Sequence, residues 1–422
     1  MNKVCILGLG YIGLPTAAIL ASCGKEVVGA DINFFLLDML QKGQVLIEEP
    51  GLEPLVYNSI KNGHIKLSHE PENADAFIIA VPTPCNNDKT CNLSYVVQAV
   101  ESIVPHLKRG NLVILESTVP PGTCENYVRP VLEKAGFIIG EDLFLAFCPE
   151  RVLPGQILRE LVENDRIIGG CTPVCASRAA QNYAAFITGK LVLTDLRTAE
   201  MVKLVENTYR DVNIALANEI TMICNYLEIN PLEVIRLANK HPRVNILQPG
   251  PGVGGHCVAV DPYFIVEQAP SLARLIDTAR TVNNNMPGYV IDKVKLLLEG
   301  IKQPKIAAFG LSYKGNVFDL RESPAVAIIE GLIAEGFQVC AFDPHSQQEP
   351  LTDMQAAVEG AHMILILTDH DIFKSLNYME LSGKMRTPII FDTRDIVDFK
   401  ELSSNTISFY NLGNIFNKKS EA

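Results

Sequence analysis

The chain has no apolar stretch long enough to cross a bilayer, which takes roughly 18 residues or more in a row. No membrane partner is therefore expected. It also lacks a long run of lysine or arginine, and its formal net charge is -12. Nucleic-acid surfaces are built from clustered basic side chains, so that class of partner is excluded too. Paired cysteines are missing: the 11 cysteines are an odd number, and none stands in a CxxC spacing. In a chain of this size that excludes a disulfide framework and indicates free thiols in a reducing, cytoplasmic setting. Cys171 and Cys175 in "CTPVC" have no second Cys/His pair to complete a zinc site, so no metal is expected. Short repeats and low-complexity tracts are lacking. The N-terminal "MNKVCILGLGYIG" has only a weak small-residue cleavage pattern and reads as a strand running into a glycine turn, not as a secretory leader.

What is present is apolar material for large cores: 48% hydrophobic against 20% charged residues over 422 positions. That length predicts two or three domains. In the first 150 residues or so, "KVCILGLG", "KEVVGADIN", "DAFIIAVPTP", "NLVILEST" and "LFLAFCPE" read as buried parallel strands, with helical patterns between them. From Asp195 the texture changes to "DLRTAEMVKLVENTYRDVNIALANEITMICNYLEI", a helical period free of glycine and proline and longer than an ordinary globular helix. Helical texture resumes at "PSLARLIDTARTVNNNMPGYVIDKVKLLLEG". Near residue 305 strands return in "PKIAAFGLS", "FQVCAFDP", "HMILILTD" and "TPIIFDTRD". The expected fold is α/β: two Rossmann-like doubly wound domains joined by a long central helix and a helical dimerisation region. The expected boundaries are 1–195, 196–300 and 301–422.

Two motifs carry chemistry. "GLGYIGLP" places Gly8, Gly10 and Gly13 directly after a strand, and a second strand ends in Asp31 about twenty residues on. The glycines let backbone N–H groups approach a pyrophosphate at a helix N-terminus. A carboxylate at Asp31 accepts from ribose hydroxyls and repels a 2′-phosphate, which favours NAD over NADP. "VPTP" at 81–84 and "ESTVPPGT" at 116–123 line the same carboxyl edge of the sheet. The second motif is "LQPGPGVGGHCVAVDPYF" at 247–264, where Cys257 sits in a loop of glycines and prolines. A reactive thiol beside a hydride acceptor suggests capture of an aldehyde. A cysteine that merely packs beside a turn is equally consistent with the residues. His256, next to Cys257 in sequence, points away from it in most backbones and is read as structural. On the long helix, Lys203, Glu206, Asn207 and Arg210 share a face. Either they stabilise an oxyanion or they are a solvated face with ion pairing; pattern alone favours the second.

Taken in order, "GLGYIGLP", "VPTP", "EST", "CPERVLPG", "AEMVKLVENTYRD", "GGHCVAVDP" and "GLSYKGNVFDLRESPA" resemble the UDP-glucose/UDP-mannuronate dehydrogenase family over nearly the whole chain. "NDRIIGG", "RDVNIALANE" and "RLANKHPRVNILQPGPGVGGHCVAVDPYFIV" resemble most the members that take UDP-N-acetyl-D-mannosamine. The resemblance implies an NAD-dependent, four-electron oxidation of a UDP-sugar C6 alcohol to the acid, through a cysteine thiohemiacetal and thioester. UDP-N-acetyl-D-glucosamine is the alternative substrate. A single-step hydroxyacid dehydrogenase, which has no need of Cys257, and a silent nucleotide-sugar sensor are the readings outside this chemistry.

The resemblance also assigns residues. Cys257 matches the nucleophile, Lys203 and Asn207 the oxyanion holders, and Asp261 an acid that orients water or relays protons. Glu150 of "CPERV" matches the carboxylate of thioester hydrolysis, with Thr118 positioning water. Cofactor contacts are implied for Gly8, Gly10, Tyr11, Ile12, Gly13 and Asp31, for Pro82 and Thr83, and for Thr118 and Arg321. Substrate contacts are implied for Glu150, Arg151 and Val152, for Lys203, Asn207 and Arg210, and for His241 and Arg243, the latter reaching across a subunit boundary. They are implied as well for Gly254, Tyr313 and Lys314, and for Arg394, whose "DTRD" departs from the "DGR" of relatives. Asn92 in "CNLSYV" stands where relatives often show Asp. The domain from 301 on is expected to bind UDP, and the chain to pair as a homodimer through the long helix.

Overall fold

The computed structural model describes residues 2–345, 352–398 and 407–416. The chain divides into two units: residues up to Glu206 with Tyr263–Pro270, and Asn207–Pro262 with the chain from Ser271 onward.

The first unit is built on one eight-stranded sheet. Its strands are β1 (Lys3–Leu7), β2 (Glu26–Ala30), β3 (Ile65–Ser68), β4 (Ala76–Ile79), β5 (Leu112–Leu115), β6 (Phe144–Phe147), β7 (Arg166–Gly170) and β8 (Leu191–Asp195). They lie in the order β3-β2-β1-β4-β5-β6-β7-β8. Val4 sits opposite both Val27 and Ala76, and every pairing is parallel except β6 with β7. The five strands read from the sequence are β1, β2, β4, β5 and β6. They are legible because β4, β5 and β6 are buried throughout and β1 and β2 at all but their first residue, so they read as apolar runs. β3 and β8 were not read from the sequence. They are edge strands, and β8, "LVLTD", is largely exposed. β7, "RIIGG", opens on a charge and ends on two glycines, which hides it from a search for apolar runs.

The order reverses direction between β1 and β4. Chains leaving neighbouring strands there turn to opposite faces and open a crevice at the carboxyl edge, the position where open α/β sheets bind ligands. The turn after β1 and the "VPTP" segment after β4 stand at that edge.

The second unit holds a five-stranded, all-parallel sheet of order β10-β9-β11-β12-β13. Its strands are β9 (Lys305–Phe309), β10 (Gln338–Phe342), β11 (Met363–Ile366), β12 (Ile389–Asp392) and β13 (Ser408–Asn411). The first four match the sequence reading. "SFYN" of β13 is short and half-exposed and was not read as a strand. The long helix runs from Leu196 to Tyr226, 31 residues, and the helix Arg274–Leu297 carries Pro287 inside it.

A buried polar chain ties the second unit's helices to its glycine loop. Arg280 Nη1 donates to Asp211 Oδ1 at 2.6 Å, and Asn283 Nδ2 donates to the same oxygen at 2.8 Å. Asn218 Nδ2 donates to Asn283 Oδ1 at 2.9 Å, while Asn218 Oδ1 accepts from the Gly250 N–H at 2.9 Å. Burial raises Asp211's carboxyl, and Arg280 and Asn283 pull against that rise. Such groups are tolerated in a dry interior because they bond one another, and a satisfied network fixes one arrangement of the chain. Here it fixes where the loop 247–257 begins.

Candidate active site

The turn after β1 in the first unit sorts its three glycines into three tasks. Gly8 has φ +90°, and a Cβ there would stand 2.6 Å from the Ala80 carbonyl oxygen. Gly13 opens the helix Gly13–Ser22, and its Cβ would fall 1.9 Å from the Gly8 carbonyl oxygen, so helix and strand close to backbone distance. Gly10 is different. It is exposed, and nothing lies within 4 Å of where its Cβ would be. A glycine with no protein neighbour to avoid leaves room for a ligand.

Asp31 stands at the end of the neighbouring strand. Its Oδ2 accepts from the Leu9 N–H at 2.8 Å and its Oδ1 from the Asn33 N–H at 2.8 Å. Each oxygen keeps a lone pair for a ribose hydroxyl. Tyr11 is exposed and Ile12 half-buried above the turn. Across the edge, Thr83 Oγ1 donates to the Thr118 carbonyl at 2.7 Å, joining the "VPTP" and "EST" segments beside exposed Pro82. Open space at Gly10, a helix that starts at Gly13 and a half-buried carboxylate fit a dinucleotide.

On the same unit, Glu150 follows β6 in the "CPERV" loop and is buried. Its Oε1 accepts from the Arg151 N–H at 2.6 Å. Arg166 Nη1 lies 2.8 Å from Oε2, an ion pair off the hydrogen-bonding direction, so that oxygen keeps an acceptor free. Arg151 turns away to Glu206 (Nη2 to Oε1, 2.7 Å) and Val152 is half-buried beside it. Lys203 is half-buried on the first unit's stretch of the long helix.

In the second unit the structure gathers the cysteine loop and the "YK…RESP" segment. The Gly255 N–H donates to the Arg321 carbonyl at 2.9 Å. A Cβ on Gly254 would sit 2.5 Å from the Glu322 carbonyl oxygen, and one on Gly255, at φ +84°, 2.7 Å from the Tyr313 ring. Only backbone this bare lets the two segments touch. Cys257 is half-buried; its carbonyl accepts from the Val260 and Asp261 N–H groups at 3.0 and 2.8 Å, leading into the helix Asp261–Gln268. His256 is exposed, with Nδ1 4.0 Å from Asp319. Asp319 also holds the Arg321 guanidinium, whose Nε lies 2.9 Å from Oδ1.

Asn207 does not belong to a solvated face. It is buried, and its Nδ2 donates to Asp261 Oδ2 at 2.6 Å. Arg210, one turn on, is exposed, as are His241, Arg243 and Lys314. Arg394 Nη2 lies 3.2 Å from Asp369, and its Nη1 is 2.8 Å from where a Gly250 Cβ would be, so this arginine faces the start of the cysteine loop. Asn92 caps its own turn by accepting from Ser94 at 2.6 Å. Among the described residues no group of three or more His, Cys, Asp or Glu is arranged to hold a metal ion, and no helix is long and apolar enough to cross a membrane. Sequence reasoning missed Arg166 and Glu116. The only signal was a charge opening an otherwise apolar strand in "NDRIIGG".

A doubly wound sheet with this glycine turn, a half-buried carboxylate at the end of the next strand and, in the other unit, a cysteine loop define an NAD-dependent dehydrogenase. Comparison narrows the class. Residues 2–187 match the NAD binding domain of the UDP-glucose/GDP-mannose dehydrogenase family, 197–285 its central domain and 307–399 its UDP binding domain. The chain belongs to that family. It is 49% identical to the UDP-N-acetyl-D-mannosamine dehydrogenase of Methanococcus maripaludis strain C7 over 409 residues, 94% of each chain. It is 48% identical to the NDP-N-acetyl-D-galactosaminuronic acid dehydrogenase of Ralstonia nicotianae over 418 residues, 96% of this chain and 98% of that one. The solved UDP-N-acetyl-mannosamine dehydrogenase of S. aureus matches at a TM-score of 0.92 and 53% identity, over 98% of this chain and 99% of that one.

Proposed function

We propose that the protein oxidises the C6 alcohol of UDP-N-acetyl-D-mannosamine to UDP-N-acetyl-D-mannosaminuronate in two two-electron steps. The observation that carries this reading is Cys257 in its bare loop, since a single-step alcohol oxidation has no use for it. The Gly8–Gly13 turn and Asp31, with Thr83 and Thr118 at the facing edge, would hold NAD, which when bound would supply the hydride acceptor for each oxidation. Lys203 and Asn207 hold the sugar oxygen as it becomes an alkoxide. Asp261 fixes one amide hydrogen of Asn207 and so aims the other. The Cys257 thiolate adds to the aldehyde carbon; a C–S bond forms, and loss of the second hydride leaves a thioester. Glu150 takes a proton from water, the water oxygen adds to the thioester carbonyl, and the C–S bond breaks to release carboxylate and thiol. One sugar and one water are consumed and two NAD are reduced, which balances four electrons. Lys314, Arg321 and Arg394 supply local positive charge for the diphosphate in a chain that is acidic overall.

Tyr209, Leu216 and Ile223 recur every seven residues on the long helix and are all exposed. An apolar stripe of this spacing pairs with a second copy of itself, so the working form is a homodimer. A reducing, cytoplasmic compartment keeps the Cys257 thiol available.

The test is NADH formed per UDP-sugar. UDP-N-acetyl-D-mannosamine should yield two NADH and the uronate, and Cys257→Ser should yield no acid; acid at the wild-type rate from that variant refutes the mechanism. The 48% identical Ralstonia relative supports a second reading, a galactosamine-configured sugar. UDP-N-acetyl-D-galactosamine and UDP-N-acetyl-D-glucosamine therefore belong in the same assay.

A further inference from the structure

Behind Glu150 lies a charged cluster that the reaction as written does not use. Arg166, at the start of β7, is 4% exposed, and all three of its guanidinium nitrogens are engaged. Nε donates to Cys148 Sγ at 3.1 Å, Nη1 pairs with Glu150 at 2.8 Å, and Nη2 donates to Glu116 Oε1 at 2.9 Å. Its flat face lies 4.6 Å over the Tyr183 ring. Glu116, at the end of β5, has a fully buried side chain. Its Oε1 takes a second hydrogen bond, from the Tyr183 hydroxyl at 2.5 Å, while Oε2 finds no partner among the described residues.

One guanidinium thus serves two buried carboxylates. With both ionised the cluster holds an uncompensated negative charge in a dry interior, which is costly. A proton on the unpartnered Oε2 of Glu116 removes it. We propose that Arg166 and Glu116 are positioning residues for Glu150: the guanidinium fixes its carboxylate from behind, and Glu116 sets how much of that positive charge Glu150 keeps. This rests on the hydrolytic role given to Glu150 above.

Burial pushes the Glu116 carboxyl up to about 7, against the pull of Arg166 and with Glu150's charge adding to the rise. The groups facing it are Arg166 on β7, Tyr183 on the helix Pro173–Tyr183, and Cys148 and Glu150 after β6. Burial raises the Cys148 thiol to about 11 and the Tyr183 hydroxyl well above its ordinary value, so neither ionises near neutrality. Below about pH 7 a neutral Glu116 leaves the Arg166 guanidinium to Glu150, and above it an ionised Glu116 competes for the same guanidinium. Thioester breakdown therefore shows a step near pH 7 as the hold on Glu150 changes.

The experiment is a single turnover of the intact enzyme with UDP-N-acetyl-D-mannosamine and NAD, quenched over time. NADH reports the oxidations, and the mass of the Cys257 adduct reports the thioester. Glu116→Gln, which holds the site in its neutral form, should abolish the pH step in thioester breakdown; a variant that keeps the step overturns the proposal. Arg166→Lys keeps the charge but loses the fork. It should slow thioester breakdown by about a hundredfold, the scale of an ångström misplacement of a reacting group, while NADH still forms in a burst. Equal slowing of the burst overturns the proposal and marks Arg166 as merely structural. Glu150→Gln separates the two layers: acid release at the wild-type rate removes the hydrolytic role itself, whereas accumulated thioester with an unchanged Glu116→Gln profile removes only the positioning.

Discussion

Gly10→Ala and Gly13→Ala make the same chemical change three residues apart, and the structure sets their outcomes in opposite directions. A methyl on Gly13 would be placed 1.9 Å from the Gly8 carbonyl oxygen, where real contacts essentially never fall below 3.0 Å. Helix and strand must separate by an ångström or so, and forced overpacking of this kind costs about 1–3 kcal/mol, sometimes more. The methyl of Gly10→Ala meets no protein atom within 4 Å, and the backbone there is not in the left-handed region. The folded protein is unharmed, and the stiffer unfolded chain adds about 0.4–1 kcal/mol of stability. For a unit of this size that raises Tm by about 1–4 °C. The harm falls on the ligand. If the pyrophosphate fills the space over Gly10, the methyl overpacks the complex by about 1–3 kcal/mol, or about 5- to 150-fold in NAD affinity. Calorimetric titration with NAD and thermal melts without it read the two effects separately. Wild-type NAD affinity in Gly10→Ala would refute the placement of the dinucleotide, and a melt as low as that of Gly13→Ala would refute the division of labour between the glycines.

Two further outcomes follow from the second unit. Asp343 is buried after β10; burial would raise its carboxyl, but hydrogen bonds from His370 and from the Leu311 and His345 N–H groups outweigh it and hold it at about 2, below the ordinary 3.8. The stability this supplies is present above pH 3.8 and lost as pH falls toward 2, about 2 kcal/mol in all; Asp343→Asn should remove that acid-limb slope from denaturant titrations. Leu216→Asp with Ile223→Asp should halve the mass seen by light scattering, and a wild-type protein that is already monomeric would dismiss the helix as a dimer face.

Asp343 also shows how far the two sheets share a plan. Gly310 at φ +92° follows β9 as Gly8 follows β1, and Asp343 accepts from Leu311 as Asp31 accepts from Leu9. Yet Asp31 is half-buried and open, whereas Asp343 is 3% exposed and occupied by His370. The same turn leaves its carboxylate half-exposed in one sheet and bonded to a histidine in the other.

The sequence by itself determined what depends on neighbours in the chain. The central strands of both sheets announced themselves as apolar runs, the long helix by its period, and the dinucleotide turn by three glycines and Asp31 at fixed offsets. Cys257 was visible as a thiol in a bare loop, though only resemblance chose between nucleophile and packing. The tertiary structure decided what depends on distant residues meeting out of water. It drew Asn207 out of a solvated face and onto Asp261, left Gly10 open where Gly13 is crowded, and brought Glu116, Cys148, Glu150 and Tyr183 around Arg166. The reason lies in range. Turn geometry and strand or helix period are set within a few residues, and a pattern in the letters records them. The strength of a charge is set by what excludes water around it, and those groups come from strands and helices far apart in sequence.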